Sequence, residues 1–440
     1  MIVTQVRAVL AALAGTRERV EAIRTAGIDR VAAGLIEHER QRWDRAAGDP
    51  RWSLPEGFTV EDREEALLAL VLLAPTTFDA AVGVLRRLPL FHEQPEGSLS
   101  HIVHWAHHLY PGAEPAQVEP TPDFLRDALL AGLAQPAHAE LTEFLLSALS
   151  TQEGQDGAVL TRLVRAAALF ATVAPLVGKI VHNQPTFVAA AIESLVLTGP
   201  AARVVERHLV GAITPDVVTA HGVGRLLDLL EPTQFTHLRA TLQQLAVQHA
   251  REALNEDDTE KTRAALARSL INLGASLWEL GRHREALDAH EEAVGLWRDL
   301  AAQEPTRHTP ALAASLTILG NSLRELGRHR EALDAHEEAV GLRRDLAAQE
   351  PTRHTPDLAQ SLNNLANTLC GLGRHDEELE LRTEAVLRWR ILVRLDPDQH
   401  QDAYQREQDR LAGHFAKHDR EPDAAWRAEE DLAHRLGLDT

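Results

Sequence analysis

At 440 residues the chain exceeds what one hydrophobic core usually supports, so two or more units, or one elongated array, are expected. With 44% apolar and 25% charged residues it has the composition of a folded protein, and a formal net charge of −20 sets it against duplex nucleic acid and anionic membrane surfaces. Abundant Ala and Leu beside only nine Phe and two Tyr favour helices, because Ala and Leu lose little entropy there, so an all-α protein is predicted. A single cysteine, Cys370, excludes an intramolecular disulfide framework and, on sequence grounds, a cysteine-based zinc site; it fits a reducing cytosol.

The opening stretch MIVTQVRAVLAALAGTRERV has a short apolar run that passes directly into charged amphipathic helix, which argues against a signal peptide. Ala66 to Leu85 is apolar for nearly the length of a bilayer helix. Pro75, two threonines and Asp79 interrupt it, and two buried helices joined at APTTFD account for it better than a membrane span. In HIVHWAHHLYP, His101, His104 and His108 share a helical face and form a weak candidate zinc set without a nearby cysteine or well-placed carboxylate. Up to about residue 255 helical runs alternate with breakers near 48–57, 88–98, 110–123, 151–157 and 231, which predicts seven to ten helices in an irregular domain with sub-boundaries near 50, 112 and 155. The string APLVGKIVHN holds Gly178 and Lys179 but lacks the upstream glycine and the following hydroxyl of a phosphate-binding loop.

From 256 to 440 the sequence repeats. GRHREALDAHEEAVGL at 281–296 returns at 327–342, a shift of 46. At that shift Leu273, Leu319 and Leu365 align, as do Leu277, Leu323 and Leu369, Gly281, Gly327 and Gly373, and Pro305, Pro351 and Pro397. Leu312, Leu316, Leu319 and Leu323 fall on one face of a first helix expected to open at Thr309 and Pro310 and to close at Gly327. A second helix carries Ala332, Leu333, His336, Ala339 and Val340 along a stripe of small and apolar residues, and EPTRHTP is expected to end it as a linker. Each hairpin buries too little alone and must stack on the next, so the duplication reads as interchangeable bricks of a solenoid.

The pattern resembles the tetratricopeptide repeat. Leu270, Gly274, Leu277, Ala286 and Ala293 occupy the family's signature offsets, and Leu316, Gly320, Leu323, Ala332 and Ala339 do so again. The third copy keeps Leu362, Leu365, Leu369 and Ala385 but has Ala366 for Gly and Glu378 for Ala. It is similar to the longer repeats of kinesin light chains; the excess over the usual period of about 34 residues is expected mostly in the second helix and its linker. The resemblance implies a right-handed superhelix, capped by a degenerate hairpin at Asp402–Lys417 and Asp423–Leu436. The order of EDREEALLALVLLAPTTFDAAVGVLRRLPLF, HIVHWAHHLYPG and EPTPDFLRDALL resembles the helical arm of actinobacterial STAND and NACHT-type ATPases, without their phosphate-binding domain.

Residues that repeat invite chemical readings. His283, His329 and His375, and likewise His308, His354 and His400, recur once per copy; helix axes about 8–10 Å apart keep equivalent positions from sharing an ion, so duplication explains them. Cys370 is assigned to packing, the Glu291–Glu292 pair to solvated charge, and the position shared by Trp297, Arg343 and Trp389 to partial exposure, because a buried unpaired charge is costly. The tetratricopeptide resemblance implies a partner-binding groove on the first helices. It maps to Arg268, Ile271, Ala275, Trp278 and Glu279, then Thr317, Asn321, Arg324 and Glu325, then Gln360, Asn363 and Asn367.

The expectation is therefore a non-enzymatic, cytoplasmic recognition protein without a cofactor, binding a protein or peptide, with neither nucleic acid nor membrane as partner. The resemblance implies the sensor arm of a STAND-like signalling or defence system, with an ATPase or effector domain encoded upstream. Two rivals are a peptide-responsive transcription or phosphorelay regulator, which the acidic balance disfavours, and a zinc hydrolase using the histidine-rich helix.

Overall fold

The structure, a computed structural model, describes residues 28–114, 116–121, 123–148, 156–231 and 234–417. The opening apolar run, the sub-boundary near 155 and the segment Asp423–Leu436 lie outside them. Helices account for the regular structure; the described residues contain no strand, and Pro111 and Val118 form an isolated bridge. By its contacts the chain divides into two compact units, Met1–Leu245 and Ala246–Thr440.

The first unit opens with α1 (Ile28–Ala47), α2 (Val60–Leu73), α3 (Phe78–Arg87), α4 (Glu96–Leu109), α5 (Asp123–Ala131) and α6 (Ala139–Ala148). It continues with α7 (Asp156–Leu169), α8 (Ala174–Asn183), α9 (Val188–Thr198), α10 (Arg203–Ala212) and α11 (Ala220–Asp228). Among the described residues eleven helices begin before residue 236, more than the seven to ten expected up to about 255, because short 3-10 turns cut runs that read as continuous. The Ala66–Leu85 segment is two helices, as anticipated. Thr59 and Asp62 form a reciprocal cap on α2, Ala74 ends it in the left-handed region, and the Thr77 hydroxyl caps α3. Every side chain from Ala66 to Leu72 is buried, so α2 is the apolar centre of the unit rather than an amphipathic surface helix.

Two of the polar groups buried around it are paired by hydrogen bonds. Glu64 accepts from Arg40 Nη2 at 2.6 Å. Trp43 Nε1 donates to the Tyr110 hydroxyl at 2.8 Å, which in turn donates to Glu39. Gly178 lies inside α8, and a Cβ there would meet the His208 carbonyl at 2.9 Å. That glycine lets α8 approach α10 closely and forms no phosphate cradle. The run Pro185–Ala212 is long and apolar enough by composition to cross a membrane. A 3-10 turn at Gly199–Ala202, with Gly199 at φ 73°, divides it into helices of 11 and 10 residues, each about half the length a bilayer requires.

The helix α12 (Thr236–Glu256) contains the division between units, and its residues from Ala246 onward belong to the second. There follow α13 (Glu260–Glu279), α14 (His283–Gln303), α15 (Pro305–Glu325), α16 (His329–Gln349), α17 (Pro351–Gly371), α18 (His375–Leu395) and α19 (Pro397–Lys417). The helices from α14 to α19 are each 21 residues long, joined alternately by a single residue and by a three-residue turn, and this alternation generates the 46-residue period. Each packs on the next in line, which makes the unit an all-α solenoid of hairpins.

The expected linker EPTRHTP is helix. Glu304 alone separates α14 from α15, and Pro305 takes the first helical position, where a missing amide costs nothing. Pro310 sits one turn further in, inside the helix, so the additional residues lengthen helices rather than a loop. The turns inside each hairpin follow the expectation: Gly281, Gly327 and Gly373 stand at φ 74°, 75° and 73°, and the next amide returns to Leu277, Leu323 or Leu369.

Candidate partner-binding surface

The second unit presents two kinds of repeated position, one sealed between hairpins and one facing outward. The first kind begins with a notch. Gly274 lies in α13, and a Cβ on it would fall 2.2 Å from His290 Nε2; at Gly320 the same atom would fall 2.5 Å from His336. The imidazole of each second helix thus fills the space that glycine leaves on the first. Its other nitrogen reaches forward to the next hairpin: His290 Nδ1 lies 3.1 Å from the Ser322 hydroxyl and His336 Nδ1 2.9 Å from that of Thr368. Burial holds both histidines below their usual pKa, His336 at about 4, so both are neutral at pH 7. The glycine was legible as a signature residue, while the histidine was read only as part of an apolar stripe.

Other links run from hairpin to hairpin. Arg298 pairs with Glu338 at 2.7 Å and Arg344 with Glu384 at 2.5 Å, and Arg251 pairs with Glu292 at 2.6 Å. Glu292, Glu338 and Glu384 are one repeat position, so that carboxylate is an inter-hairpin partner, whereas Glu291 is simply exposed. Trp297 and Arg343 are 4% and 8% exposed, which corrects the partial exposure expected there, while Trp389 at the same repeat position is half-buried. Arg343 tolerates burial because Nη1 donates to the Asp357 carbonyl at 2.5 Å and an arginine's aliphatic stem can be buried as apolar surface. Histidines of the next helix lie against this position: the His308 ring centroid is 5.8 Å from Trp297 and that of His400 is 5.9 Å from Trp389.

Two residues expected in the groove belong to this sealed class. Thr317 is 8% exposed, with its hydroxyl donating to the Ala313 carbonyl at 2.8 Å. Asn363 is 3% exposed and donates from Nδ2 to Glu407 Oε2 at 2.8 Å. Both sit where one first helix meets the next, a contact that helical offset alone does not reveal. Ile271, at the same repeat position, is half-buried.

The outward class comprises Arg268, Ala275 and Glu279 on α13, Glu325 on α15, and Gln360 and Asn367 on α17, all exposed. Asn321, Arg324 and Trp278 are half-buried beside them, and the Trp278 ring lies 4.4 Å from His283. Asn272, Ile318 and Asn364 join the same face, a position the sequence reading omitted. Spacing of four, three and four residues puts 268, 272, 275 and 279 on one side of α13, and the same spacing recurs on α15 and α17. Within the stripe Gln360 Nε2 donates to Asn364 at 3.3 Å, and Asn367 accepts from Arg382 at 2.9 Å.

His101, His104 and His108 are exposed and turn to different neighbours: the Ser53 carbonyl, the Phe78 ring and the Trp52 ring. Among the described residues, ligand-type atoms come within 4.8 Å of one another in two other trios, Cys370, His375 and Glu378, and Glu260, Glu304 and His308. In the second trio Arg307 already pairs with Glu260 at 2.7 Å.

Three stretches, 266–301, 312–348 and 358–398, match the family model of the tetratricopeptide repeat. These three stretches are therefore tetratricopeptide repeats, a helical scaffold of the protein-interaction kind. No curated protein matches the chain. Among solved structures it is similar to a STAND protein with a tetratricopeptide repeat sensor from Pyrococcus horikoshii, at 11% identity and a TM-score of 0.33, covering 86% of this chain and 63% of that one. This chain thus spans less than two thirds of that protein's length. It is also similar to the apo form of RapI, at 13% identity and a TM-score of 0.22 over 64% of this chain and 92% of that one. A circular tandem repeat protein follows at 14% identity and a TM-score of 0.22, covering 99% and 96%.

Proposed function

We propose that the outward face of α13, α15 and α17 binds an extended segment of a partner protein. What supports this reading is a contrast within one array: the second helices of the first two hairpins are copied without change over 281–296 and 327–342, while the outward positions of the first helices differ from hairpin to hairpin. Positions 268, 314 and 360 hold Arg, Ala and Gln; positions 275, 321 and 367 hold Ala, Asn and Asn. Selection for stacking alone would leave such positions free to remain copies. Asn321, Gln360, Asn364 and Asn367 carry donors and acceptors together, the requirement for recognising a peptide backbone at any sequence. Burial between hairpins holds these amides on rigid helices, so little ordering entropy opposes binding.

We further propose that the event is relayed to a nucleotide-hydrolysing domain of the STAND type, a reading supported by the order of motifs in the first unit. Peptides selected from a random library on the immobilised full chain provide the test of the face. Asn321→Ala with Gln360→Ala removes two hydrogen-bonding side chains at about 1 kcal/mol each, so affinity is expected to fall roughly 30-fold with unchanged helix content. Selected peptides that bind the double variant as tightly as the parent would place the site elsewhere.

A further inference from the structure

The third hairpin departs from its copies at a cluster of chemically active side chains. Where the first two have Trp278 and Arg324, the third has Cys370; where they have Ala286 and Ala332, it has Glu378; where Ser322 and Thr368 stand on first helices, α19 carries His414. His375 keeps the position of His283 and His329. We propose that Cys370, His375 and Glu378 form a transition-metal site whose donor set suits Zn2+.

The geometry carries this assignment. Cys370 lies in the last turn of α17, His375 opens α18 after the turn at Gly373, and Glu378 follows on the same helical face. The cysteine sulfur, a ring nitrogen of His375 and a carboxylate oxygen of Glu378 all lie within 4.8 Å of one another. His375 Nδ1 and Glu378 Oε2 are 3.3 Å apart. Two ligands about 2.0 Å from a tetrahedral zinc stand about 3.3 Å apart, so this pair is already at ligand spacing.

The second carboxylate oxygen is held separately. Glu378 Oε1 accepts from Arg382 Nε at 2.9 Å, with Arg382 Nη2 also at 2.9 Å, and lies 3.1 Å from His414 Nδ1. Such partners fix the direction of a ligand carboxylate, and Oε2, which pairs with His375 Nδ1, would exchange that hydrogen bond for the metal between the two atoms. Zn2+ would displace the thiol proton of Cys370 to solvent, bind neutral His375 through Nδ1 with its hydrogen on Nε2, and find its charge balanced by thiolate and carboxylate. Cys370 and His375 are half-buried, so water can reach the fourth tetrahedral position. Sequence spacing hid the cluster because its single cysteine was weighed without the residues that the hairpin turn brings to it.

Cobalt titration of the full chain, after removal of metal with a chelator, tests the site. A thiolate-to-cobalt charge-transfer band is expected to saturate at a single ion per chain and to bleach on addition of Zn2+. Cys370→Ser is expected to abolish the band and to weaken Zn2+ binding at least ~10-fold in competition with a chromophoric chelator. His375→Asn is expected to weaken Zn2+ binding likewise, and His283→Asn, the equivalent in the first hairpin, to leave it unchanged. Equal melting of Cys370→Ser and parent in chelator shows that the fold is intact. Cobalt binding without the thiolate band, or unchanged Zn2+ affinity in Cys370→Ser, overturns the proposal.

Discussion

The notch beneath His336 gives opposite signs to two Gly→Ala changes in neighbouring helices. Gly341 lies on the exposed side of α16, and a Cβ there meets nothing within 4 Å. Alanine is favoured over glycine in a helix interior by about 0.8–1.0 kcal/mol, so Gly341→Ala is expected to stabilise by roughly that amount. Gly320 gains the same helix propensity, but its Cβ would fall 2.5 Å from Cδ2 and Nε2 of a buried imidazole that is also tied to Thr368. Overpacking of this kind costs about 1–3 kcal/mol, which exceeds the gain, so Gly320→Ala is expected to destabilise by about 1 kcal/mol. Adding His336→Ala removes the obstacle, and the double variant should be more stable than the two single changes sum to, with a coupling of about 1–3 kcal/mol. Calorimetric melting of the full chain reads the signs directly. If both glycine variants shift the transition the same way by the same amount, the notch is not a close contact and the reasoning fails.

Three further outcomes follow from sealed positions. His336 has its pKa lowered to about 4 by burial, against an unfolded value near 6.5. Acid therefore protonates the unfolded chain first: stability is full above about pH 6.5, falls towards pH 4, and the loss reaches about 3 kcal/mol, a slope that denaturant melts should show diminished in His336→Gln. Asn363→Ala strips Glu407 of its amide donor and is expected to cost about 1–3 kcal/mol in urea unfolding, whereas Gln360→Ala, exposed on the same helix, should stay within about 0.5 kcal/mol. Arg343→Trp restores the residue of the first and third hairpins at a buried position, and thermal melting should show equal or higher stability.

The repeats were legible because copying makes periodicity visible: an apolar stripe at three and four residues specified the helices, and Gly281, Gly327 and Gly373 specified the turns. Prolines misled at Pro310. A proline at the start of an apolar stripe reads as a helix start, yet Pro305 supplies a better one five residues earlier. Thr317 and Asn363 were misplaced for a related reason: periodicity states which face of a helix a residue occupies, not whether the neighbouring hairpin covers it. Arg343 shows the reverse error, since a charge excluded from the core by composition is accepted where a backbone carbonyl meets it. Helix type was legible in the first unit too, but Gly199 and Pro185 cut apolar runs at 3-10 turns that hydropathy passes over. The third hairpin's cluster was hard to single out in the sequence, because Cys370 and Glu378 are two among many departures of that copy and only the hairpin turn brings them to His375.

Photo-crosslinking tests the central claim most directly, using a library-selected peptide that carries a photoreactive group and mapping its attachment on the full chain. The account predicts adducts on α13, α15 and α17, concentrated at Arg268, Asn272, Asn321, Gln360 and Asn364. Adducts confined to the outer side of the second helices, at Asp288 and Asp334, or to residues 28–231, would contradict it.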